Sequence, residues 1–180
     1  MFERGDGDHP VSTFTFHGYT VRSTRREDYA LAELWTRADR DHTKTRGYFW
    51  LIQEAAAGIE SFLVEDREGV TLFFKIVQFG EQAEIHLLFS PLPATPAERT
   101  DRNCRTMNAM IQIFPWVEKA LALRGTKAVF FKSKSAPLIR FAEKRLDFKL
   151  DALDERDEWK VVKQLSAISS QPSVKALTES

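Results

Sequence analysis

The chain has 180 residues, enough for one domain with a substantial core. Hydrophobic residues make up 43% and charged residues 29%, the composition of an ordinary globular protein rather than a disordered or fibrous one. Lys plus Arg equals Asp plus Glu at 26 each, so no global field directs the chain to nucleic acid or to an anionic membrane.

Residues 1–13, beginning "MFERGDGDHP", are acidic and Gly-rich, have no apolar signal core and are expected to form a flexible lead. "STFTFHGYTVRS" alternates, with Phe14, Phe16, Tyr19 and Val21 on apolar positions, and predicts two short strands turned at His17-Gly18. "TRREDYALAELWTRADR" predicts a helix with Thr24 and Glu27 as its capping box and Leu31, Leu34, Trp35 and Ala38 as its buried face. "GYFWLIQEAAA" predicts a second helix ending at Gly58.

"IESFLVED", "VTLFFKIVQF" and "QAEIHLLF" follow across tight turns and predict an antiparallel meander. The middle run is apolar on both faces, so it belongs inside the sheet with a layer on each side. "PAERTDRNCRTM" is then expected to be a loop, leading into a helix from about Cys104 to Arg124. The apolar stripe of that helix is Met107, Met110, Ile111, Phe114, Val117 and Leu121, with a kink expected at Pro115. "KAVFFK" predicts a strand. "SAPLIRFAEKRL" predicts a helix capped by Ser135 with Pro137 in its first turn. "DFKLDAL" and "EWKVVKQL" predict a closing hairpin. Residues 166–180, Ser-rich and weakly hydrophobic, are expected to be a disordered tail, leaving one domain over 14–165.

No apolar run approaches the ~18 residues of a spanning helix. The one cysteine, Cys104, allows no intramolecular disulfide, so a cytoplasmic location is expected. His9, His17, His42 and His86 are scattered without ligand spacing, and no metal site is predicted.

The order β, α, α, β, β, β, α, β, α, β, β resembles the GNAT superfamily of acyl-CoA-dependent N-acyltransferases. The resemblance runs from residue 14 to about 164. Locally, "LIRFAEKRLDFKL" is similar to the family's "AIRFYEKLGFK" segment, and "YTVRSTRREDYALAELW" is similar to its first strand and helix. The implied fold is α/β (α+β): a central mixed, mostly antiparallel sheet flanked by helices.

The resemblance also implies a site. In the family, two neighbouring strands splay apart and admit the pantetheine arm, which here would pair along Leu88 and Phe89. The pyrophosphate sits on the loop before the long helix, in a Q/R-x-x-G-x-G/A motif. Free N–H groups and the helix dipole attract the anion there, and glycines allow its close approach. That motif aligns with Arg99-Thr100-Asp101-Arg102-Asn103-Cys104. Two readings stay open. Arg99, Arg102 and Arg105 gather guanidinium groups at the helix start and grip phosphate through side chains; or Arg102 and Cys104 fill the cradle. The tyrosine that protonates the leaving thiolate in many relatives corresponds to Ala142, and Ser133 and Ser135 are the nearest polar residues to the family's asparagine.

General bases in the family lie on the fourth strand. Glu84 and His86 share one face of it and are the candidates; a solvent-facing polar pair is the alternative. Asp39, Asp41, His42 and Arg46, between the first two helices, are candidates for acceptor recognition, or a plain charged connection. The cofactor implied is acetyl-CoA or another acyl-CoA, and the acceptor a small-molecule or peptide amine. Monomer and homodimer are both open. The competing function is a GNAT-fold binding module without catalysis.

Overall fold

The computed structural model describes residues 13–39, 45–93, 95–155 and 157–166. Residues 1–12 of the expected lead and most of the expected tail lie outside these residues, while Thr13, counted with the lead, opens the first strand. The first hairpin forms where the sequence alternates: β1 (Thr13–Phe16) and β2 (Tyr19–Ser23) meet across His17 and Gly18. Both have positive φ (47° and 83°), as a two-residue turn matched to strand twist requires.

The meander follows as β3 (Ile59–Asp66), β4 (Gly69–Phe79) and β5 (Gln82–Phe89), all antiparallel. Then come α2 (Pro96–Leu123), β6 (Ala128–Ser133), α3 (Ala136–Arg145) and the hairpin of β7 (Lys149–Leu153) and β8 (Trp159–Gln164). One sheet results, in the order β1-β2-β3-β4-β5-β6-β8-β7, and only β5 and β6 run parallel in it.

β4 lies inside the sheet and is buried on both faces, as its apolar run predicts. One face carries Phe62, Phe74, Ile85 and Phe131 against Met110, Phe114 and Val117 of α2 and Ile139 and Phe141 of α3. The other carries Leu63, Phe73 and Leu88 against Ala32 and Trp35 of α1 (Tyr29–Ala38) and Trp50.

Four local expectations change. The start of the first helix lies further along: a 3₁₀ turn at Arg26–Asp28 precedes α1, and Asp28 rather than Glu27 closes the turn by accepting the Arg25 N–H at 2.7 Å. Thr24 is unavailable as a cap because β3 has taken it. Its N–H donates to the Ser61 carbonyl at 3.0 Å, and its hydroxyl donates to the same oxygen. The buried face of α1 is Ala32, Trp35 and Thr36, while Leu34 and Ala38 are exposed. The Thr36 hydroxyl donates to the Ala32 carbonyl at 2.6 Å, which lets a polar residue sit in that face.

The second helix is instead two 3₁₀ turns, Gly47–Leu51 and Ala55–Ala57. Tertiary hydrogen bonds outcompete the helix between them. The Gln53 amide accepts from Ser61 N–H at 3.2 Å and donates to its carbonyl, and Glu54 forms a bridge with Ile59.

The largest difference is at α2, which starts at Pro96 and not at Cys104. Thr95 accepts the Glu98 N–H at 3.3 Å, and Glu98 returns a carboxylate oxygen to the Thr95 N–H at 3.4 Å. Pro96 suits the first turn, and no glycine interrupts the residues that follow. The expected loop is therefore two turns of helix, and the helix continues through Pro115.

Candidate functional site

The pairing of β5 with β6 is short. It covers Gln82↔Ala128, Ala83↔Val129 and Glu84↔Phe130, and then the strands diverge. Beyond that point lies a cleft of about 390 Å³, walled by Glu84, His86 and Phe89 of β5, by Lys132 and Ser133 of β6, and by Asp39, Ser135 and Glu158. A second cavity, about 290 Å³, adjoins it. Phe89, Ser135 and Leu138 line both, and Arg102, Asn103 and Met110 bound the second.

Alternation along β5 builds these walls. Glu84 and His86 point to the α1 side, with Glu84 Oε2 3.8 Å from His86 Nε2. The imidazole makes a T-shaped contact with the Phe49 ring, centroids 5.6 Å apart and planes at 89°. Burial pushes the Glu84 carboxyl above its ordinary value; Lys132 and Lys160 oppose this and Glu158 adds to it. A carboxyl so raised is better suited to accept a proton near neutral pH. Leu88 is fully buried under the α1 side, while Phe89 faces the cleft.

The three arginines do not converge. Arg99 is exposed and donates to the Pro93 carbonyl at 2.7 Å, outside both cavities. Arg105 turns to the β3–β4 turn, pairing with Asp66 at 2.6 Å and Glu68 at 3.4 Å. Of the three, only Arg102 lines a cavity, the second one, which adjoins the cleft. Its Nε donates to Ser90 Oγ at 3.1 Å, its Nη2 to the Ser90 carbonyl and its Nη1 to Asn103 Oδ1 at 2.8 Å, while the guanidinium lies 5.7 Å from the Phe89 ring centre. Burial lowers its pKa from the ordinary value, and Asp39 opposes the shift. On a helix, positions 99, 102 and 105 climb the axis by ~4.5 Å at each step while turning by about 60°, so the three guanidinium groups spread along α2 instead of sharing one point.

No backbone cradle exists at Arg99–Cys104, because those residues are inside α2 and their N–H groups face its preceding turn. Cys104 is exposed on the helix and lines neither cavity. Ser133 and Ser135 do line the cleft; Ser133 Oγ accepts the Ser135 N–H at 3.0 Å and Ser135 Oγ accepts the Leu138 N–H at 3.4 Å, capping α3. Arg46 is exposed and 3.9 Å from Glu33, away from the cleft. Asp41 and His42 lie outside the described residues. Ala142, at the position of the family tyrosine, is fully buried.

Sequence reasoning missed Phe49, Lys75, Ser90 and Glu158. Lys75 carried a signal, as a lone charge in the apolar run "TLFFKIVQF". Glu158 carried none, since only the strand order brings it beside β6. Among the described residues, no group of three or more His, Cys, Asp or Glu is placed to hold a metal ion, and no helix is long and apolar enough to cross a membrane.

The fold as a whole is matched in solved structures. A GNAT-family structure from Desulfovibrio desulfuricans superimposes with a TM-score of 0.60 at 14% identity, covering 82% of this chain and 99% of its own. The chain has the GNAT fold. YncA from Salmonella typhimurium, solved with its cofactor acetyl-CoA, gives 0.50 at 13% identity over 87% of this chain and 99% of its own. The PaiA N-acetyltransferase of Thermoplasma acidophilum, in complex with coenzyme A, gives 0.51 at 13% identity over 81% and 98%. No family model matches the sequence, and no curated protein matches it significantly. The likeness is one of fold.

Proposed function

We propose that this GNAT-fold chain is an acyl-CoA-dependent N-acyltransferase, with acetyl the simplest acyl group and an amine as acceptor. The observation that carries the proposal is the gap between β5 and β6. It opens beyond Glu84↔Phe130, and the wall of the cleft there holds Glu84 and His86. A strand gap suits an extended pantetheine arm. The Gln82–Phe89 strand would flank it, with Phe89, Ser135 and Leu138 at the junction of the two cavities. The known complexes of YncA with acetyl-CoA and PaiA with coenzyme A support this use of the fold.

Bound acyl-CoA supplies an activated acyl group. This chain's task is to present a neutral amine to it. Glu84, whose carboxyl is raised by burial, or His86 beside it, takes the proton of the acceptor ammonium. Ala142 has no proton to donate, so the departing sulfur is left to solvent or to a cleft hydroxyl. Phosphate recognition rests on Arg102. Three of its five N–H groups are committed to Ser90 and Asn103, and two remain.

The second reading, a binding module without catalysis, is favoured by α2 itself, since the N–H groups of a phosphate cradle are consumed inside that helix. One calorimetric series separates the two. Wild type is expected to bind CoA, and Arg102→Ala to bind about 10- to 100-fold more weakly, the effect of losing a hydrogen bond to a charged group. Tighter binding by Arg102→Ala would mean that the guanidinium occupies the phosphate position. No binding by either protein at millimolar CoA removes the acyltransferase reading and leaves the module.

A further inference from the structure

We propose that Lys75 is a positioning residue, whose buried ammonium orients Phe49 against His86 and so builds the acceptor-side wall of the cleft. The role assigned to that wall rests on the acyltransferase reading; the placement of the side chains does not.

Lys75 is 2% exposed, in the middle of β4 between Phe74 and Ile76. An apolar residue there would avoid the desolvation that a buried ammonium suffers. The side chain holds one residue at two points. Nζ donates to the Phe49 carbonyl at 3.0 Å and lies 3.7 Å from the centre of the Phe49 ring. The first contact anchors the main chain of the Gly47–Leu51 turn, and the second presents the ring face to a cation. The same ring stands perpendicular to the His86 imidazole, with centroids 5.6 Å apart and planes at 89°.

His86 is also the register partner of Lys75 across β4 and β5, so cation, ring and imidazole lie together on the α1 side of the sheet. Burial lowers the Lys75 pKa and Glu54 opposes it, in keeping with an amine enclosed by protein rather than by water. Phe49 sits on a short 3₁₀ turn, whose hydrogen-bond geometry is poorer than an α-helix's, and Lys75 Nζ ties the main chain of that turn to β4.

The test is Lys75→Met, which keeps the length of the side chain and removes the ammonium. Imidazole ring signals of His86 are assigned by their loss in His86→Gln and compared between wild type and Lys75→Met. The expected result is a clear displacement of the His86 signals, with those of His17 unchanged. If wild type acylates any amine, kcat is expected to fall about 10- to 100-fold with KM for acyl-CoA unchanged, as a misplaced catalytic wall predicts. Unmoved His86 signals, or an unchanged kcat, overturn the proposal. Should wild type fail to bind CoA, the acyltransferase reading fails, and the His86 signals still decide the positioning. Should Lys75→Met fail to fold, Phe49→Leu decides it: displaced His86 signals support the contact, and unmoved ones overturn it.

Discussion

Gly47→Ala is expected to destabilise the protein by about 3 kcal/mol or more, from overpacking together with a lost hydrogen bond to a charged group. A Cβ built on Gly47 lies 2.5 Å from the Glu33 backbone nitrogen and 2.6 Å from its Cα. Those atoms belong to α1 and cannot swing aside as a side-chain tip could. The Gly47 N–H also donates to Glu33 Oε2 at 2.6 Å, while Arg37 donates to the other oxygen at 2.8 Å. A methyl group at position 47 must push the 3₁₀ turn off α1 and break the first of these bonds. Phe49 and Trp50 sit on that turn, so the α1-side core and the wall beside His86 move with it. Urea unfolding of wild type and variant at pH 7 measures the loss. A fall in Tm of about 6–12 °C is expected for a domain of this size. A loss under about 1 kcal/mol would show that the turn is not held by this close approach.

Asp28→Ala is expected to cost about 3 kcal/mol at pH 7, the low end for a buried ion pair that loses one partner. Asp28 takes two guanidinium bonds from Arg22, at 2.7 and 2.8 Å, and the Arg25 N–H at 2.7 Å. Both charged side chains are mostly buried, at 10% and 16% exposed. Alanine leaves Arg22 with Glu65 at 3.2 Å as its remaining carboxylate and opens the turn before α1.

The pH dependence has a definite sign. Burial alone would raise the Asp28 carboxyl, but hydrogen bonds from Arg22 and from the Arg25 backbone outweigh it and hold it below its ordinary 3.8. The unfolded chain therefore binds this proton more readily than the folded one. The stabilisation is fully present above pH ~4 and is lost as pH falls through the lower folded value. The stability gap between wild type and Asp28→Ala should be widest at neutral pH and should close in acid. A gap that stays constant down to pH 2 would remove the ion pair as its cause.

The sequence by itself determined the strands and their order along the chain. Alternation at Phe14–Val21, the double-sided apolar run of β4 and the tight turns between β3, β4 and β5 are local signals, and the structure has each of them. The same alternation put Glu84 and His86 on one face of β5. The resemblance added the GNAT fold, which the solved structures match.

What only the tertiary structure decided follows from competition between distant groups. Thr24 could have capped a helix, but the Ser61 carbonyl claimed it. "GYFWLIQEAAA" has helical composition, but Gln53 and Glu54 bond to β3 and divide it into two turns. The missing glycines were visible in "PAERTDRNCRTM"; their consequence was not. A Thr95–Glu98 capping box starts α2 early, and with no glycine to stop it the stretch expected to be a loop is helix. Arginine spacing is then helical spacing, which sends Arg99, Arg102 and Arg105 to three separate partners. Lys75 and Phe49 stand 26 positions apart and meet only because the turn at Gly47–Leu51 folds onto β4. Periodicity reports which face of an element is buried. Which residues share a cleft depends on strand order and on the contacts that win a shared donor or acceptor.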